Sequence, residues 1–212
     1  MIPGDAMTLE RIELGANALV LRKQVLAHER ALLAEIEAVL SQAPLRQMET
    51  PNGRMMSVAM SNCGSLGWIS DRRGYRYSPS DPLTGAPWPL MPELFVSIAS
   101  EAAATIGYEE YLPDACLINY YRPGAALSLH QDRDEHDLTA PIVSISLGMS
   151  AIFMFGGFAR RDPVRTIELH HSDVVVWGGK DRLRYHGIRR LCGAAHPLTG
   201  EARINLTFRR AG

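Results

Sequence analysis

The feature that most constrains this chain is the rhythm of its C-terminal half. After Asp114 the sequence breaks into short segments of strand character at 115–121, 126–131, 142–148, 151–155, 165–170, 173–177, 183–188 and 203–209. Turn signals separate them, among them RPG, GMS, the HSD run and GGKD. So many short strands within about 100 residues predict a closed barrel or a double-sheet jelly roll. Upstream, apolar residues at Val25, Leu26, Leu32, Leu33, Ile36, Val39 and Leu40 keep helical spacing from about Lys23 to Ser41, and Pro44 ends the run. A second helix is predicted from about Pro92 to Ile106, with Gly107 as its stop. Residues 18–22 read as a short strand. Helices first and strands after give an α+β fold, mainly β, with the helices buttressing the outside of one sheet.

Residues 45–90 differ from both parts. They are rich in Met, Gly, Pro, Tyr and Trp, with one strand near Met55–Met60 and then loops such as CGSLGW and RRGYRYSPSDP. An aromatic, glycine-punctuated insert of this length suits a binding cover. We therefore expect one domain over 1–212, a cover at 45–90 and a β core at 114–210.

Composition bounds the function. With 46% hydrophobic and 21% charged residues the chain is globular rather than disordered. A net charge of −1 announces no strongly basic binder of nucleic acid, though a local arginine face stays open. Cys63, Cys116 and Cys192 are odd in number and far apart, which argues against a disulfide framework or thiolate zinc site and fits a reducing, cytoplasmic setting. The segment MIPGDAMTLERIELG lacks the apolar run of a signal peptide, and no stretch approaches a membrane span.

The chemistry starts at His130 and Asp132. Two apart on a strand, their side chains share a face about 6.5–7 Å apart along the backbone, close enough to meet one cation. His186 lies in a later strand that could face them across a barrel. Two histidines and a carboxylate leave open positions on an octahedral ion, as in non-heme Fe(II) oxygenases. The same set also suits zinc with a water. His28, His136, His170, His171 and His196 have no comparable partners and are expected on the surface or in turns.

The segment RINLTFRR favours iron. As a strand it sends Ile204, Leu206 and Phe208 to the core, and Arg203, Asn205, Thr207 and Arg209 to the other face. Two guanidiniums inside a barrel need an anion, and a dicarboxylate matches their paired donors. The alternative is an arginine-rich edge strand facing water. Asn119 and Tyr121 share a face of their own strand, with tips suited either to that carboxylate or to a structural role at a rim.

Together, MSVAMSNCGSLGW, GYRYSPSDP, PDACLINYYRPGAALSLHQDRDE, APIVSISLG, AIFMFGG, HSDVVVWGG, YHGI and RINLTFR resemble the AlkB family of DNA and RNA dealkylases, close to its bacterial members. The resemblance covers nearly the whole chain except about the first dozen residues. It implies a double-stranded β-helix (a jelly roll) with a nucleotide-recognition lid. It implies Fe(II) on His130, Asp132 and His186, with 2-oxoglutarate and O2 as cosubstrates. Arg203 and Arg209 would pair with the 2-oxoglutarate carboxylates, Arg203 at the distal end and Arg209 nearer the iron-bound end, helped by Asn119, Tyr121 and Asn205. Trp68 would stack on the flipped base opposite the His130 ring, beside Tyr75. Asp134 would face a cationic lesion such as 1-methyladenine or 3-methylcytosine, and Arg160 the substrate strand. Without the resemblance, Trp68 and Tyr75 read as loop-packing aromatics and Asp134 as a solvated charge. Arg72, Arg73 and Arg76 make the insert more basic than a lid needs. The implied partner is N-methylated nucleic acid, single-stranded DNA above duplex DNA and RNA, met by a monomer. A 2-oxoglutarate oxygenase of another substrate class and a non-enzymatic metal-binding β-barrel module are the rival readings.

Overall fold

The computed structural model describes residues 10–212, so the leader expectation falls mostly outside them. In chain order the elements are β1 (Arg11–Gly15), β2 (Ala18–Leu21), α1 (Glu29–Gln42), β3 (Arg46–Glu49), β4 (Met55–Gly64), β5 (Gly67–Asp71), β6 (Gly74–Ser78) and α2 (Glu93–Ala104). Then come β7 (Ala115–Tyr121), β8 (Leu127–His130), β9 (Ile142–Gly148), β10 (Ala151–Phe155), β11 (Arg165–Leu169), β12 (Val174–Trp177), β13 (His186–Ile188) and β14 (Arg203–Arg209).

Two sheets carry the architecture. The larger runs β1-β2-β12-β9-β14-β7-β4-β3 and the smaller β11-β10-β13-β8, while β5 and β6 pair as a separate hairpin. The sequence-based jelly roll with helices behind one sheet is the fold observed. Period-two alternation on β14 explains how. Ile204, Leu206 and Phe208 join Phe95 and Ile98 of α2 and Ile36 and Val39 of α1 in one apolar cluster. Each such side chain contributes about 1.5–3 kcal/mol when fully buried. The opposite face of the large sheet meets the small sheet through Val58, Leu117, Tyr121, Phe153, Trp177 and Ile188. Polar residues of β14 are therefore directed between the sheets.

Several local expectations change. The first helix starts at Glu29, not Lys23, because the chain turns there: Lys23 has φ 54° and its N–H donates to buried Asp173 at 3.0 Å. The stretch expected as loops after residue 64 contains the β5–β6 hairpin, whose turn uses Gly74 at φ 119°. Polar hairpins without strict alternation give little periodic signal. The strand expected from 183 begins at His186, since a short 3-10 turn over Gly179–Asp181 precedes it. Cys63 and Cys116, far apart in sequence, lie directly opposite on β4 and β7 as free buried thiols. Burial pushes the Cys116 thiol up, which keeps it protonated.

Candidate active site

The sheets enclose a cavity of about 430 Å³, a size suited to a small ligand. Strand pairing builds its metal-facing end. β13 runs antiparallel to β8 with His186 directly opposite His130, so the two histidines are neighbours rather than facing each other across a barrel. Their rings are 4.4 Å apart between centroids. Asp132 lies two residues past the end of β8 and not on it, yet its carboxylate turns back toward the Nε2 atoms of both rings. Its Oδ1 is 3.4 Å from His130 Nε2 and its Oδ2 3.7 Å from His186 Nε2. One donor atom from each residue falls within 4.8 Å of the others.

The backbone sets the state of both imidazoles. His130 Nδ1 lies 2.9 Å from the Ser128 carbonyl and His186 Nδ1 3.1 Å from that of Arg184. A carbonyl only accepts, so each Nδ1 donates its proton there, which leaves each Nε2 as the ring nitrogen facing the cluster. Burial and then the His130 neighbour push His186 down to about 3, so it is neutral at physiological pH. Burial alone would raise Asp132, but the Arg209 guanidinium prevails and holds it well below the usual carboxylate range. Two imidazole nitrogens and one carboxylate form a donor set that fits Fe(II).

The other end is cationic. On β14 and β7, Arg203 lies opposite Tyr121 and Asn205 opposite Asn119. Arg203 is 1% exposed and donates through Nη2 to Ser146 Oγ at 2.9 Å, while its Nε and Nη1 find no protein partner. Its guanidinium carbon sits 5.0 Å above the Tyr121 ring. Asn119 Oδ1 is also buried without a partner. Unmet donors on a buried guanidinium are costly, so they mark a position suited to an anion such as a carboxylate. Arg209 behaves differently. Its Nε and Nη2 donate to Asp132 Oδ2 at 2.8 and 2.6 Å, and Nε is 3.2 Å from Glu135. Asn205 donates to Ser144 Oγ and to the Ile145 carbonyl, both at 2.8 Å.

Aromatic residues cover the mouth. Trp68 of β5 and Tyr75 of β6 stack with centroids 5.5 Å apart at 14°. Trp68 Nε1 donates to Asp134 Oδ2 at 2.9 Å, tying the hairpin to the segment after Asp132. Arg160 reaches the rim with its guanidinium 5.3 Å over the Tyr185 ring. Every site residue named from sequence lines this one cavity. Arg72, Arg73 and Arg76 are not free cations for a ligand: Arg72 pairs with Glu49, and Arg73 and Arg76 with Asp71. His171, expected to lack a partner pattern comparable to the trio, accepts from the Gly148 N–H through Nδ1, donates through Nε2 to Glu29 at 2.9 Å and stacks on His196 at 4.2 Å, away from the cavity.

Sequence reasoning missed a buried network beneath the site. Tyr77 donates to Glu135 Oε1 at 2.9 Å. Arg182 donates to the Asp132 carbonyl at 2.7 Å and to that of Ala140 at 2.9 Å, and lies 3.3 Å from Glu135. The available signals were Tyr77 on the same strand face as Tyr75, Glu135 within DRDEHD, and Arg182 four residues before His186.

The model of the 2OG-Fe(II) oxygenase superfamily matches residues 18–209. The alpha-ketoglutarate-dependent dioxygenase AlkB of Escherichia coli is 57% identical over 199 residues, covering 94% of this chain and 92% of that protein. The AlkB homolog of Caulobacter vibrioides is 47% identical over 184 residues, covering 86% and 82%. The solved structure of OsALKBH1 superposes with a TM-score of 0.78 at 26% identity, covering 94% of this chain and all of that one.

Proposed function

Because this chain belongs to the 2OG-Fe(II) oxygenase superfamily, we propose that it demethylates nucleic-acid bases such as 1-methyladenine and 3-methylcytosine, using Fe(II), 2-oxoglutarate and O2. One observation carries the reading. A single cavity holds the His130–Asp132–His186 cluster, the partnerless donors of Arg203 and the Trp68–Tyr75 hairpin.

In this proposal His130 Nε2, an Asp132 carboxylate oxygen and His186 Nε2 hold the iron. Arg203 receives the distal carboxylate of 2-oxoglutarate, with Asn119 and Tyr121 beside it. Arg209 lies nearer the iron-bound end and keeps Asp132 ionised, and Asn205 orders the floor through Ser144. Trp68 stacks on the target base opposite His130, with Tyr75 behind it. Asp134 carries the anionic charge that a cationic methylated base meets. Its hydrogen bond from Trp68 fixes both groups in one frame. Arg160 meets the substrate backbone. When bound, iron with 2-oxoglutarate supplies oxidation of the N-methyl group by O2, yielding CO2, succinate, formaldehyde and the restored base. The protein supplies geometry and electrostatics around that chemistry.

A target base must leave its stack to enter the cavity, and a methyl group on its pairing edge lowers that cost. Single-stranded DNA is therefore the favoured substrate, with duplex DNA and RNA as further ones. The same reading takes the protein as a monomer working in a cytoplasmic setting. Among the described residues no helix is long and apolar enough to cross a membrane.

The test is formaldehyde release from single-stranded DNA carrying 1-methyladenine or 3-methylcytosine, by wild type and Asp132→Ala. Wild type should turn over. Asp132→Ala should lose more than about a hundredfold, beyond the loss from removing an outer partner of a metal ligand. Activity surviving in Asp132→Ala refutes the metal assignment, and no turnover on any methylated nucleic acid refutes the substrate.

A further inference from the structure

The connection between β10 and β11 carries more than Arg160. Phe158 within it is 55% exposed. One side of its ring is supported, because the Arg184 guanidinium carbon lies 4.9 Å from the ring centre. Arg184 is itself fixed by an ion pair to buried Asp181 and by donating to the Gly156 carbonyl at 3.0 Å. The connection is braced as well. Asp162 Oδ2 accepts from the Ala159 N–H at 2.9 Å, and the Asp162 N–H returns to the Ala159 carbonyl at 3.0 Å. The Tyr185 N–H donates to the Gly157 carbonyl at 2.9 Å, which joins the turn to the strand that carries His186. The braced turn thus presents a preset aromatic ring followed by exposed Arg160 and Arg161, and Arg160 lines the cavity two residues from that ring.

A single exposed apolar side chain needs no explanation. A ring held on a fixed cation, open to solvent and adjoining two arginines, is a more specific arrangement. Proteins that hold single strands combine aromatic faces for bases with cations for the backbone. Stacking on an aromatic tolerates any base, which suits a neighbour of the target rather than the target itself.

We propose that Phe158 is a stacking platform for an unpaired base adjoining the target base, with Arg160 and Arg161 meeting the adjoining phosphates. The proposal rests on the demethylase reading above and extends it from the lesion to the flanking strand. The competing role, a cap that merely covers Arg184, would affect stability and leave strand binding alone.

The experiment compares two substrates, a short single-stranded oligonucleotide with one central 1-methyladenine, and 1-methyl-dAMP, which has no neighbouring base. Phe158→Ala should raise KM for the oligonucleotide about 5- to 30-fold with little change in kcat, the scale of one lost base stack. On the mononucleotide the wild-type-to-variant ratio should fall to about one, and Phe158→Trp should restore the oligonucleotide KM. An unchanged oligonucleotide KM, or an equal rise on both substrates, overturns the platform. If wild type removes no methyl group, the demethylase reading fails separately. The platform is then judged by fluorescence anisotropy with an unmodified single-stranded oligonucleotide: weaker binding by Phe158→Ala supports it and equal binding overturns it.

Discussion

Among single residues, Arg203 shows how a local shortage of partners becomes a binding preference. Its buried guanidinium has donors that no protein atom meets, and a carboxylate can satisfy two of them at once. Lysine would keep the charge and lose the fork. Arg203→Lys should therefore raise KM for 2-oxoglutarate about 10- to 100-fold, the scale of one or two charged hydrogen bonds, read from succinate formation. Asp81 makes a different prediction. Burial favours its neutral form, but the Arg46 ion pair and the Leu83 N–H prevail and hold the carboxyl below its ordinary value. A depressed pKa contributes stability above the unfolded value of about 4 and loses it as pH falls through the folded one. Asp81→Asn should cost about 2 kcal/mol at pH 7, less than a fully buried pair because Arg46 keeps an edge in solvent, and the gap to wild type should shrink below about pH 4. Urea unfolding across pH checks both points. At this scale the sequence was informative wherever residues two apart share a strand face, as with Arg203 and Asn205. It was silent on Arg182 and Glu135, whose partners come from distant segments and whose role is to hold other side chains.

Pairing of elements decides what those residues can do together. His186 meets His130 because β13 and β8 are adjacent, and Gly187 lets them come close. A Cβ on Gly187 would sit 2.6 Å from the Leu127 carbonyl oxygen and 3.0 Å from the Ser128 carbonyl carbon, both backbone atoms of β8. Gly187→Ala should force the strands apart, costing about 1–3 kcal/mol by overpacking. It should also weaken Fe(II) binding by spreading the histidines. Unfolding midpoints and metal titration measure the two effects, and intact affinity in a destabilised variant would show that strand spacing does not set the ligand geometry. The strands of the β core were legible because apolar runs are bounded by Gly, Pro and Asp. The β5–β6 hairpin was not, because GWISD and GYRYS lack a continuous apolar face. Asp132 was expected on a strand and lies beyond one, since spacing along a sequence does not reveal where pairing stops.

The whole molecule has a net charge of −1, so strand binding must draw on a few local cations rather than a broad field. Arg160 is exposed at the rim and Arg161 is exposed beside it in the chain, whereas the arginines of the β5–β6 hairpin are paired with acids. We expect a shallow salt dependence, with log K falling by about 1.4 per decade of salt for the two arginine contacts, and a slope reduced by about 0.7 in Arg160→Ala, the share of one phosphate contact on a single strand. Anisotropy titrations at several salt concentrations measure it. The two-sheet arrangement also distributes the three tryptophans unequally. Trp88 and Trp177 are buried at 4% and 1% exposure, while Trp68 is only partly covered. Trp177 packs edge-on against His186 with ring centres 4.9 Å apart, and Trp68 stands at the mouth. The chain therefore contains its own optical gauge. With Trp88 replaced by Phe, buried Trp177 is placed to be quenched by a paramagnetic ion at the histidines, and partly covered Trp68 to respond to a base at the mouth under the proposed function, so one emission spectrum then times the two loading events separately without a label.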